Sequence, residues 1–167
     1  MADISVRMGE LATAAGPGDV LVSIGLGSCI GLALVDVGAR IAGLAHIMLP
    51  GPGESSTRPP GTFADTGVPA LLDAVIAAGG RRNRLNAVIV GGAQMFGAAG
   101  KLQVGSRNEA SVRAALRQVR LPIVGAETGG GSGRTIRVYL DDMRVTSRAA
   151  GGSEAVLYSS GLTAVAA

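Results

Sequence analysis

Residues 23–50 read SIGLGSCIGLALVDVGARIAGLAHIMLP, and two apolar runs inside them, 29–36 and 41–49, decide the architecture. Both are short and bounded by glycine, which suits buried strands better than helices. A two-residue loop at Val37 and Gly38, with glycine supplying the positive φ such turns require, predicts a hairpin. In that register Val35 meets Arg40, Ala33 meets Ala42, Gly31 meets Leu44 and Cys29 meets His46. Directly opposed residues share a face, with Cβ atoms about 4.5–5.5 Å apart. The hairpin thus brings together the chain's single cysteine and its single histidine.

That pairing has chemical content. A free thiol is mostly protonated at neutral pH, and an adjacent imidazole can take its proton to leave a nucleophilic thiolate. The imidazolium can then protonate a departing amine. Just before Cys29, the GLGS run allows a sharp backbone turn, and N–H groups near Gly27 and Ser28 are candidates to receive an oxyanion. Singly, a cysteine in an apolar run is most often an inert hydrophobe and a strand histidine a satisfied structural residue. What sets this pair apart is the shared register next to GLGS.

Working outward, residues 4–14 read as one strand, followed by a turn at 16–19 and a strand at 20–24. Residues 50–61, PGPGESSTRPPG, form a loop. Apolar residues at 68, 71, 72, 75 and 76 predict a helix over 63–80. Residues 85–90 predict a buried strand, and GGAQMFGAAG a glycine loop whose role is to keep backbone close to the cysteine hairpin. A second amphipathic helix is expected over 107–120 with Asn108 as its cap. Strands follow near 122–127, 134–140 and 143–148. TGGGSGR resembles a phosphate cradle but lacks the Lys-Ser/Thr ending and the following helix, so it reads as a turn before the strand at Arg134. Residues 149–167 read as a variable, partly disordered tail after a domain spanning 1–148. The whole predicts one α/β domain of mixed β-sheets with two main helices.

Composition narrows the classes further. With 47% hydrophobic residues and only two Phe and two Tyr, the core is filled by aliphatic side chains. The 27 glycines signal turns and close backbone approaches, because disorder does not accompany such apolar content. A net charge of +3, almost all from arginine, with no interleaved aromatics, argues against a nucleic-acid binder. RRNR at 81–84 reads as a solvated complement to a helix C-terminus. One cysteine rules out an internal disulfide and a cysteine-based zinc site. The start carries acids and no apolar signal core, and the uncharged run 20–35 is too short and glycine-broken to span a bilayer, so a cytoplasmic protein without membrane insertion is expected.

Six blocks in order, GLGSCIGLALVD, AGLAHIMLP, FADTGVPALLDAVIAAG, VGGAQMF, VGSRN and ETGGGSGRTI, resemble the chemoreceptor glutamine deamidase family, CheD, from about residue 20 to about 148. The resemblance implies an amidohydrolase that converts glutamine side chains of chemotaxis receptors to glutamate and releases ammonia. It implies a layered α/β sandwich shared with cysteine-dependent toxin deamidases, and no metal or organic cofactor. The family's nucleophile falls on Cys29 and its histidine on His46. Its third position, usually threonine, falls on Ser23, which keeps the hydroxyl and loses a methyl. Chemoreceptor cytoplasmic helices are the implied substrate, and some relatives also bind a CheC-type phosphatase. The competing expectation is a non-catalytic module that regulates such a phosphatase or scaffolds receptors.

Overall fold

The computed structural model describes residues 2–95 and 103–161. Ten strands form two five-stranded mixed sheets: β1 (Asp3–Ser5), β2 (Leu11–Ala14), β3 (Val20–Leu26), β4 (Ile30–Asp36), β5 (Ile41–Ile47), β6 (Asn86–Gly91), β7 (Ile123–Thr128), β8 (Arg134–Tyr139), β9 (Arg144–Ala149) and β10 (Glu154–Tyr158). Among the described residues two α-helices, α1 (Ala64–Ala77) and α2 (Val104–Gln118), accompany the strands. One sheet has the order β1-β3-β8-β9-β10 and the other β2-β5-β4-β6-β7. The fold is therefore the expected α/β sandwich, with the second sheet in the middle. Among the described residues, no helix is long and apolar enough to cross a membrane.

The middle position explains the apolar runs. Every residue of β4 and β5 is buried, as expected of strands covered on both faces. Their side chains alternate between two cores. Ile30, Leu32, Leu34, Ile41, Ala45 and Ile47 join Leu71 and Leu116 beneath the helices, whereas Ala33, Val35, Ala42 and Leu44 join Leu21 and Ile136 between the sheets. Gly31 permits the second contact, since a Cβ there would stand 2.8 Å from both Ile136 and Leu26. By the same alternation Cys29 and His46 face the opposing sheet.

The hairpin forms, but its register is shifted by two residues. Gly31, not Cys29, opposes His46, and Leu32 opposes Ala45. The turn takes residues 37–40 instead of two, and its positive φ, 54°, belongs to Arg40 rather than Gly38. Asp36 causes this. Its carboxylate accepts from the Ala39 amide at 3.0 Å and closes a longer turn. A two-residue shift preserves face parity, so Cys29 stays on the His46 face as its diagonal neighbour.

Three further readings change. Residues 4–14 are two strands in different sheets, parted by a turn in which Gly9 has φ +81° and Glu10 Oε1 accepts from the Arg7 amide. The tail carries β10, which pairs with β9 and sends Leu157 and Tyr158 against the inter-sheet core. Residues 162–167 lie outside the described residues. RRNR is not simply solvated, because Arg84 Nε lies 3.0 Å from the buried Asp36 carboxylate.

Candidate active site

The segment before β4 is held by its carbonyls. Gly27 O accepts from the Ala93 amide at 2.9 Å, and Cys29 O from the Gly92 amide at 2.9 Å. Between them, Ser28 O accepts from Asn108 Nδ2 at 2.9 Å, and the same amide donates to Met48 O at 2.8 Å. Among the described residues, no backbone carbonyl accepts from the amides of Ser28 or Cys29. Gly91 and Gly92 make the approach possible. Both have positive φ, and a Cβ on Gly91 would lie 2.1 Å from Cys29 O. The expectation that GGAQ keeps backbone against the cysteine hairpin is met, while residues 96–100 of that loop lie outside the described residues. The TGGGSG turn buttresses it through Gln94 N to Gly130 O, 2.8 Å, and Arg134 Nη1 to Gly129 O, 2.8 Å.

His46 is 3% exposed and held on three sides. Its amide donates to Glu10 O at 3.0 Å, its carbonyl accepts from Gly9 N at 2.9 Å, and Nδ1 lies 3.4 Å from Val6 O. A backbone carbonyl only accepts, so this contact assigns the ring proton to Nδ1 and leaves a lone pair on Nε2. Nε2 is buried with no hydrogen-bond partner among the described residues.

Ser23 reaches the same carbonyl. It is fully buried, and Oγ donates to Val6 O at 2.7 Å. Serine and histidine therefore meet on Val6 instead of bonding to each other. A bulge follows directly, with the β3 register broken between Ser23 and Leu26 and Gly25 at φ +73°. It lets the chain leave β3 and turn through Gly27 and Ser28 toward Cys29.

The electrostatics differ from the expected ion pair. Burial pushes the half-buried Cys29 thiol above its ordinary range. Burial also lowers the His46 imidazole, outweighing the Val6 contact and the Glu10 charge that pull it upward. Both effects favour the neutral forms, a thiol and an unprotonated imidazole on the same inter-sheet face, with no hydrogen bond joining Cys29 to Nε2.

Asn108 is the residue that sequence reasoning misplaced. It does not cap α2, which begins at Val104 behind a left-handed Gln103 (φ 33°). It sits within the helix and is fully buried. The signal was its spacing: Asn108 falls on one helical stripe with Gly105, Val112, Ala115 and Leu116, all buried. Gly105 lets the first turn dock on the glycine loop, since a Cβ there would lie 2.4 Å from Ala93 O.

Comparison with known proteins shows the family. The family model described as CheD chemotactic sensory transduction matches residues 48–149. A protein of Symbiobacterium thermophilum named probable chemoreceptor glutamine deamidase CheD is 43% identical over 155 residues, covering 90% of this chain and 94% of that protein. One of Methanococcus vannielii with the same name is 42% identical over 146 residues, covering 87% of this chain and 94% of its own. A CheD 2 protein of Anaeromyxobacter dehalogenans is 40% identical over 149 residues. On this similarity, running through nearly the whole domain, the chain belongs to the CheD family.

Proposed function

We propose that this chain is a cysteine-dependent protein-glutamine deamidase acting on chemoreceptors, with Cys29 as nucleophile and His46 as base and then acid. The observation that supports the proposal is the buried Nε2 of His46, without a hydrogen-bond partner among the described residues, on the same inter-sheet face as the only cysteine. In the reaction, Nε2 takes the Cys29 proton as Sγ attacks the glutamine carboxamide carbon. The carbonyl oxygen becomes an oxyanion received by the amides around Gly27, Ser28 and Cys29. Collapse breaks the C–N bond, ammonia leaves with the proton from His46, and a thioester remains. Water, deprotonated by His46, then hydrolyses the thioester to glutamate and restores the thiol. A neutral resting pair suits this sequence, because the proton moves when the carboxamide arrives.

The test is incubation with a receptor cytoplasmic fragment, with ammonia measured and amide-to-acid changes mapped by peptide mass. Cys29→Ala should abolish release while keeping the fold, and turnover near the wild-type level in that variant removes Cys29 as nucleophile. Wild-type protein that binds the fragment but leaves every glutamine intact would favour the interaction-module alternative, including one directed at a CheC-type phosphatase.

A further inference from the structure

Asn108 reaches from α2 to both strand ends that carry the candidate site. One Nδ2 serves Ser28 O at 2.9 Å and Met48 O at 2.8 Å, bonds that span 80 and 60 residues of sequence. The remaining half of the amide gains nothing: Oδ1 is buried with no hydrogen-bond partner among the described residues. A buried, unpaired carbonyl is destabilising, so stability alone is a poor account of an asparagine here. What the position requires is the donor.

Resting on Cys29 as the nucleophile, we propose that Asn108 is a positioning residue that builds the oxyanion site. The peptide between Ser28 and Cys29 is planar, with its C=O and N–H antiparallel. Drawing Ser28 O toward α2 therefore turns the Cys29 N–H the opposite way, toward the face that carries the thiol and the His46 ring. The neighbouring carbonyls of Gly27 and Cys29 are already fixed by Ala93 and Gly92, which leaves Ser28 as the plane that only a side chain controls. The contact with Met48 O, two residues past His46, ties the histidine strand to the same amide. Asn108 acts where charge develops on the substrate oxygen, not on the thiol.

That distinction gives the test. Amide hydrolysis passes through an oxyanion, whereas alkylation of Cys29 by iodoacetamide displaces iodide and forms none. Asn108→Ala, assayed on the receptor fragment that wild type deamidates, should lose about 10²–10³ in kcat with KM little changed, the range for one lost oxyanion donor. Its alkylation rate across pH should stay close to that of wild type. Asn108→Ser, whose hydroxyl still donates to one carbonyl, should recover part of the lost kcat, and it decides by the same comparison if Asn108→Ala does not fold by circular dichroism. A folded variant with wild-type kcat overturns the role, as does alkylation that slows by the same factor as hydrolysis, which marks a general loss of site structure. Wild type that releases no ammonia overturns the parent reading of Cys29 and this role with it.

Discussion

Nδ1 of His46 leans on Val6 O at 3.4 Å, and among the described residues Nε2 has no hydrogen-bond partner. Because burial raises the Cys29 thiol and lowers the imidazole, no thiolate–imidazolium pair is favoured at rest. Alkylation of Cys29 in substrate-free protein should follow a midpoint above the ordinary thiol value of about 8.5. An inflection below pH 7 would instead report a preformed ion pair. On the proposed mechanism Ser23 would act at one remove, because its hydroxyl donates to the Val6 carbonyl that the His46 ring leans on. Ser23→Ala should therefore slow turnover by about 10- to 100-fold, as a base loses its alignment. Unchanged rates at matched stability would reduce the hydroxyl to a strand-end cap. Cys29 and His46 stand out in the sequence because each is the single residue of its type, whereas Ser23, one of twelve serines, is picked out only by the resemblance. The Val6 carbonyl was not legible, since any residue supplies one and only tertiary structure selects it.

At the level of elements, a single carboxylate sets the hairpin. Burial alone would raise the Asp36 carboxyl, but the Arg81 and Ala39 amides and the Arg84 guanidinium more than reverse this and hold it below its usual value. A depressed carboxyl stabilises the fold above its unfolded pKa, about 3.9, and that contribution fades as pH falls through the lower folded value. Asp36→Ala, which orphans two amides beside a partly solvated arginine, should cost about 2 kcal/mol, read from the urea midpoint. In wild type the same contribution should vanish in acid, and a variant equally stable at pH 7 would refute it. Asp36 also shows where sequence reading stopped. Short, glycine-bounded apolar runs gave both strands, and the two-residue side-chain period gave the shared face of Cys29 and His46. Register depended on which residue closed the turn, and a glycine at position 38 was the visible candidate while the aspartate was the effective one. Asn108 failed likewise: its type suits a cap, and only its place on the buried stripe said otherwise.

For the molecule as a whole, β10 extends the outer sheet beyond β9. Glu154 accepts from Tyr139 Oη at 2.6 Å and from Thr146 Oγ1, and Leu157 and Tyr158 lean on the inter-sheet core. A chain ending at Gly152 should be less stable than one ending at Gly161 by about 2 kcal/mol, the scale of burying one large aliphatic side chain. Identical melting of the two would show that the strand is dispensable. The fixing of Gly27, Ser28 and Cys29 has a temporal side as well. Their partners, Gly92, Ala93 and Asn108, follow in sequence by more than sixty residues. During synthesis Cys29 leaves the ribosome before the groups that fix its segment, whereas Val6, Gly9, Glu10 and Ser23, which surround His46, come earlier. On the proposed mechanism, a nascent or truncated chain that stops short of Gly91 would display a thiol open to oxidants and without a place for a carboxamide, and hydrolytic competence would date from the arrival of α2.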